Sequence, residues 1–154
     1  MQSNIRCFRI AASYIRSGWV QGEWRDDDGN VCLLQAVIDA MSIKKDAATL
    51  PFPVLLAIDT TLVGMGTYCV TAEEKAHRLN ILIDRDAENL SELIWSWNDA
   101  DGRTNDEVVK ALEKTADRLE GENRLWLRDI ISRAIRPSSR RYAEDEELVY
   151  AADE

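Results

Sequence analysis

The chain has one histidine, three cysteines and three prolines among its 154 residues, and no long apolar run. Each scarcity closes a class. His77 is the one imidazole, and with Cys7, Cys32 and Cys69 it makes four soft metal ligands, none in a C-x-x-C pair, so no zinc site is expected. An odd number of cysteines at wide spacings fits free thiols in a reducing compartment, not a disulfide framework. The most apolar stretch, Pro51 to Ile58, is far too short to cross a bilayer. Met1 to Arg9 has neither an apolar h-region nor a small-residue cleavage site. The expectation is an unprocessed cytoplasmic protein with no membrane partner. Bases are also in the minority, 19 against 28 acids for a net charge of −9, which argues against direct nucleic-acid binding.

What is present suits one folded domain. The hydrophobic share of 45% and charged share of 31% are those of a globular protein with a proper core. Charge is uneven along the chain. Arg124 to Arg141 holds arginines opposed only by Asp129, and Tyr142 to Glu154 holds acids and no base. Such a run is ordinarily a solvated tail that screens the arginines. The sharper alternative is an acidic surface, Glu144, Asp145, Glu146 and Glu147, that competes for a basic partner such as a nucleic-acid-binding groove.

Periodicity predicts helices. Ile5 to Ser17 places Ile5, Phe8, Ala12 and Ile15 on one face, with Gly18 as the left-handed residue beyond its end. Asn30 is an apt N-cap for Val31 to Met41, whose dense apolar positions make it a central helix. Val54 to Val63 reads equally as a buried helix or a strand. Thr71 caps a helix to about Ile83, with Glu73 and Glu74 favouring its dipole, and Asn89 or Ser91 starts a short one carrying Leu93, Ile94 and Trp97. Thr104-x-x-Glu107 is a capping box opening a helix that ends at Gly121. A last helix, Glu122 to Ile135, buries Trp126 or Leu127 with Ile130, Ile131 and Ala134 before Pro137 stops it. The fold class is mainly α: a single compact domain of five to six helices over residues 1–137, with room for a short hairpin near 19–30, and a charged, flexible acidic tail over 138–154.

Three motifs occur in order: Ala11-Ala12 with Gly18-Trp19-Val20-Gln21-Gly22; Gly29-Asn30-Val31-Cys32-Leu33-Leu34-Gln35-Ala36 with Ala40; and Trp97-Asn98-Asp99, Gly102-Arg103-Thr104 and Glu107-Val108. Together they resemble a family of small proteins without assigned activity from actinobacterial genomes and bacteriophages. The resemblance spans roughly Ile10 to Leu119, and the third motif is its most specific part. Val20 stands where that family commonly has Cys, and Gln35 where it commonly has Gly. The resemblance implies a shared fold and a bacterial or phage context, and no activity.

Cys32 near a helix N-terminus could be acidified, with His77 as base and Asn98 orienting it, but no local protease signature surrounds it and a small core residue is the simpler account. Asp26-Asp27-Asp28-Gly29-Asn30 fails as a calcium loop, since Val31 and Val37 fall where Gly and a bidentate Glu belong; Asp-Gly is a turn signal. Arg103 at a helix start could hold an anion, but Asp106 and Glu107 occupy that N-terminus, and pairing of Arg103 with Asp99 or Asp101 is favoured. Of five tryptophans, Trp19 and Trp97 are expected to stack and join the motifs, leaving Trp24 or Trp95 to mark a binding face. No catalytic residue, cofactor or metal is assigned. The expected function is non-enzymatic binding of a macromolecule, a bacterial protein or complex, with a phage-encoded inhibitor of a host or defence complex as its specific form. The candidate binding residues are Trp19, Gln21, Trp24, Asn98, Asp99, Arg103 and the acidic run 144–147. The alternative is a small-molecule or nucleotide pocket, or an enzyme, built from the Trp-Asn-Asp/Gly-Arg-Thr corner and Cys32.

Overall fold

The computed structural model describes residues 2–42 and 50–135. Six helices follow one another there: α1 (Gln2–Ser17), α2 (Leu33–Ala40), α3 (Phe52–Gly64), α4 (Ala72–Asp84), α5 (Ala87–Asn98) and α6 (Asn105–Ile135). The mainly α expectation holds. The hairpin expected near 19–30 is instead a loop with two isolated bridges, Trp19 and Arg25 each pairing with Val31. The expected tail, 138–154, lies outside the described residues. Contacts divide the chain into two units, Met1–Glu120 and Gly121–Glu154.

Within the first unit, α2 is central, as its dense apolar pattern predicts. Leu33, Leu34 and Val37 are buried with Phe8, Ala12 and Ile15 of α1, Leu55, Ile58 and Leu62 of α3, Leu90, Ile94 and Trp97 of α5, and Val108 and Leu112 of α6. The ambiguous apolar run is helical. Pro51 and Pro53 sit at its N-terminus, where a missing N–H costs nothing, and burial on several sides explains why no period shows in the sequence. Thr71 forms a full capping box with Glu74 at the start of α4.

Several helix ends differ from expectation. Asn30 does not cap α2. Its amide nitrogen donates to Asp26 at 2.7 Å, and Cys32 takes the cap, its Sγ accepting from Gln35 N. α5 is capped by Asp86, ahead of Asn89 and Ser91, because Asp86 accepts from Asn89 N and also holds the Asn89 side chain. Gly18 does not adopt a left-handed φ. It is needed for space: a Cβ there would lie 1.8 Å from Asn30 Oδ1. Gly121 does not end a helix; α6 runs through it. A helical glycine costs roughly 1 kcal/mol against alanine, too little to break a helix whose flanking residues favour it.

Most buried polar side chains of the first unit are matched, Trp95 Nε1 being a buried donor without a partner. Asp59 of α3 is fully buried, and it accepts from Tyr68 Oη at 2.7 Å and from both Nε and Nη2 of Arg78 on α4. Burial, then the Asp59 charge, pushes the Tyr68 phenol far above its ordinary range. Thr115 of α6 donates to Thr61 of α3 at 2.9 Å, and Arg118 Nη2 to Ala57 O at 2.7 Å.

Removing Arg78 would strand the Asp59 charge in the core. Arg78→Met is expected to cost about 3–5 kcal/mol in urea unfolding, and adding Asp59→Asn should recover part of it. A cost near zero for the single variant would mean that the pair is not buried in solution.

Candidate functional site

The first and third motifs meet at Asn98, the last residue of α5. Its side chain is buried, 1% exposed, and spends all its hydrogen-bonding capacity. Oδ1 accepts from Trp19 Nε1 at 2.8 Å and from Leu33 N at 3.1 Å. Nδ2 donates to Val20 O at 3.3 Å and to Asp99 Oδ1 at 2.9 Å. The amide orientation follows from this network, because the flipped amide would set donors against two N–H groups. Around it, Gln21 Nε2 donates to Asn98 O and Ala100 O, and Gly22 N to Asp99 Oδ1. Gly22, at φ +80, turns the loop so that its N–H reaches that carboxylate. Trp19 and Trp97 therefore do not join the motifs by stacking, as expected; a shared amide joins them. Trp97 Nε1 instead donates to Thr67 Oγ1.

Arg103 is also consumed internally. Ala100 to Arg103 closes a turn with Gly102 at φ +77, the left-handed position such a turn needs. The guanidinium lies 4.0 Å over the Trp97 indole. Its Nε donates to Trp97 O at 2.9 Å and its Nη1 to Glu107 at 2.6 Å, with the side chain 9% exposed. The expected partners, Asp99 and Asp101, are replaced by Glu107, one helical turn ahead. Glu107 thereby leaves the expected capping box half made: Thr104 Oγ1 accepts from Glu107 N, while the carboxylate goes to Arg103.

Trp24 and Trp95 pack on each other, centroids 5.2 Å apart and tilted by 45°, and both are half-buried. Neither is the exposed aromatic that was expected. Glu92, Trp95, Ser96 and Asp99 line an open cleft of about 360 Å³. The Asp26–Asn30 run is a turn, Asp26 Oδ1 accepting from Asp28 N and Asn30 N. Hydrogen bonding, led by the Asn30 side chain, holds the Asp26 carboxyl below its usual range. Cys32 is buried, and desolvation outweighs the helix N–H groups, pushing its thiol up to about 11. A thiol held protonated is no nucleophile at neutral pH. His77 is exposed on α4. Among the described residues no three His, Cys, Asp or Glu side chains cluster as a metal would need, and no helix is long and apolar enough to cross a membrane. The candidates Glu144, Asp145, Glu146 and Glu147 lie outside the described residues.

The second unit holds what the sequence misplaced. Leu125, Trp126, Leu127, Ile130, Ile131 and Ile135, several of them assigned to a core, are all exposed, Trp126 at 57% and Ile131 at 56%. Leu127, Ile130, Ile131 and Ala134 recur at the spacing of one helical face. Arg128 and the Arg133–Asp129 pair stand in the same stretch, also exposed. Monomeric domains seldom leave such a row in water unless something covers it. The legible signal was a charge pattern richer in arginine than in acid beside apolar residues.

The chain belongs to the family of unknown function DUF6197, whose sequence model matches residues 2–118. The three motifs all fall inside that span. No curated protein and no solved structure matches the chain.

Asn98→Ala would leave the Trp19 and Leu33 N–H groups buried without acceptors, an expected loss of about 3 kcal/mol at 1–3 kcal/mol per group; thermal unfolding checks it, and a loss below 1 kcal/mol would show the hub to be dispensable. Cys32 gives a pH test. Its folded pKa lies above the unfolded value, so its contribution is complete below about pH 9 and is lost as pH rises through about 11, roughly 2–3 kcal/mol over that window. Cys32→Ala should flatten this alkaline decline, and native alkylation should reach Cys7 and Cys69 first.

Proposed function

We propose that this is a non-enzymatic binding protein that engages a bacterial protein through the distal part of α6. The observation that carries it is the exposed apolar row, Leu127, Ile130, Ile131 and Ala134, with Trp126 beside it. Exposed Trp and Arg next to aliphatic side chains have the composition of an interface centre. The partner surface is a groove with apolar floor and acidic rim, matching Arg128 and Arg133. Helix-in-groove docking reads such faces at i, i+3, i+4 and i+7.

The corner side chains support this choice by what they already do. Trp19, Gln21, Asn98, Asp99 and Arg103 are engaged with one another and with backbone, so a pocket or enzyme there would first have to break the fold's own bonds. The setting proposed is the cytoplasm of a bacterium or a phage-infected cell. The specific form, an inhibitor of a host or defence complex, rests on the resemblance to actinobacterial and phage proteins.

The test is photo-crosslinking in a bacterial lysate from a probe placed at Trp126. The wild-type chain should give a discrete adduct, and Leu127→Gln with Ile131→Gln should abolish it while leaving the melting temperature within a few degrees, because both side chains are exposed already. An adduct that survives the double substitution would overturn the assignment to α6.

A further inference from the structure

We infer that the chain's own acidic segment, Glu144 to Tyr150, docks on the exposed face of distal α6 and competes with the protein partner for it. The inference rests on reading that face as a docking surface. Its observations are three, and each concerns the second unit alone.

The face is apolar and edged by arginine. Leu127, Ile130 and Ile131 are exposed, and Arg128 and Arg133 stand on the same helix. The segment is its complement in composition. Glu144-Asp145-Glu146-Glu147 supplies consecutive acids, and Leu148-Val149-Tyr150 follows with apolar groups. Acids alone would only screen the arginines; the adjoining apolar triplet gives the stripe something to bury against.

The length is sufficient. The stretch from Ile135 to Glu144, fully extended, reaches about 30 Å, whereas Leu125 to Ile135 along α6 rises only about 15 Å. Pro137 disfavours helix at the residue before it, and Ser138 and Ser139 follow, residue types that favour turns. The segment is therefore long enough to reach the face. A second copy of the chain fits less well: the stretch beside the apolar row carries Arg124, Arg128 and Arg133 against Glu122 and Asp129, so two such helices would bring like charges together.

Hydrogen–deuterium exchange on peptides covering 122–135 tests the docking without needing a partner. Three chains are compared: full length, one ending at Ala143, and full length with Glu144→Lys, Asp145→Lys, Glu146→Lys and Glu147→Lys. Exchange over 125–135 should rise several-fold in both variants, and molar salt should narrow the gap for the charge-reversed chain. Equal rates in all three overturn the inference. Faster exchange in the truncated chain alone also overturns it, since shortening would then act through helix fraying and not through charge. The Trp126 crosslink is scored separately on the same chains. Tail-dependent protection without any adduct leaves the cis contact standing and removes the proposed partner; an adduct without tail-dependent protection does the reverse.

Discussion

One buried amide sets the frame of the first unit. Through its side chain Asn98 touches the loop after α1, the first backbone N–H of α2 and the carboxylate that turns the chain out of α5. The Trp19 and Leu33 N–H groups would otherwise be donors without an acceptor, at a cost well above what the bond itself contributes. Forming all four bonds at once makes the arrangement all-or-none. The loop from Gly18 to Cys32 has only two isolated bridges and an Asp26 turn of its own, and Trp19, Gln21 and the Gly22 N–H tie it further to residues 98–100.

The remaining interior polar groups follow the same logic in other chemistry. Asp59 binds Arg78 and Tyr68, and the Thr61–Thr115–Arg118 set ties α3 to α6. Apolar packing alone would let neighbouring helices slide by a residue with little penalty. A buried carboxylate or hydroxyl with one geometrically suited partner does not permit that. These groups add more to uniqueness than to net stability.

Much of the helical order was legible in the sequence, because periodicity and caps are local. The capping threonine of α4 and the central character of α2 are both visible in the sequence. What escaped required knowledge of neighbours. Asn30 looks like a cap until Asp26 claims its side chain. Gly121 looks like a terminus because nothing local says that the helix beyond it continues. The apolar residues after Gly121 look like core, since a stripe of Leu and Ile reads alike in sequence whether or not the fold buries it. The corner shows in the sequence as a motif but its wiring does not: residue type suggests stacking of Trp19 on Trp97, whereas the join is made by an amide whose partners are spread over some 80 positions of sequence.

The close approach of Gly18 to Asn30 has an evolutionary corollary. The two positions share one small volume, so substitutions there cannot be accepted in arbitrary order. Position 30 has to shrink before position 18 can grow, and a lineage that enlarged 18 first would pass through a clash with a side chain pinned by Asp26. Sequences related to this one are therefore expected to show the pair as a coupled choice, with a side chain at 18 found only where 30 is small.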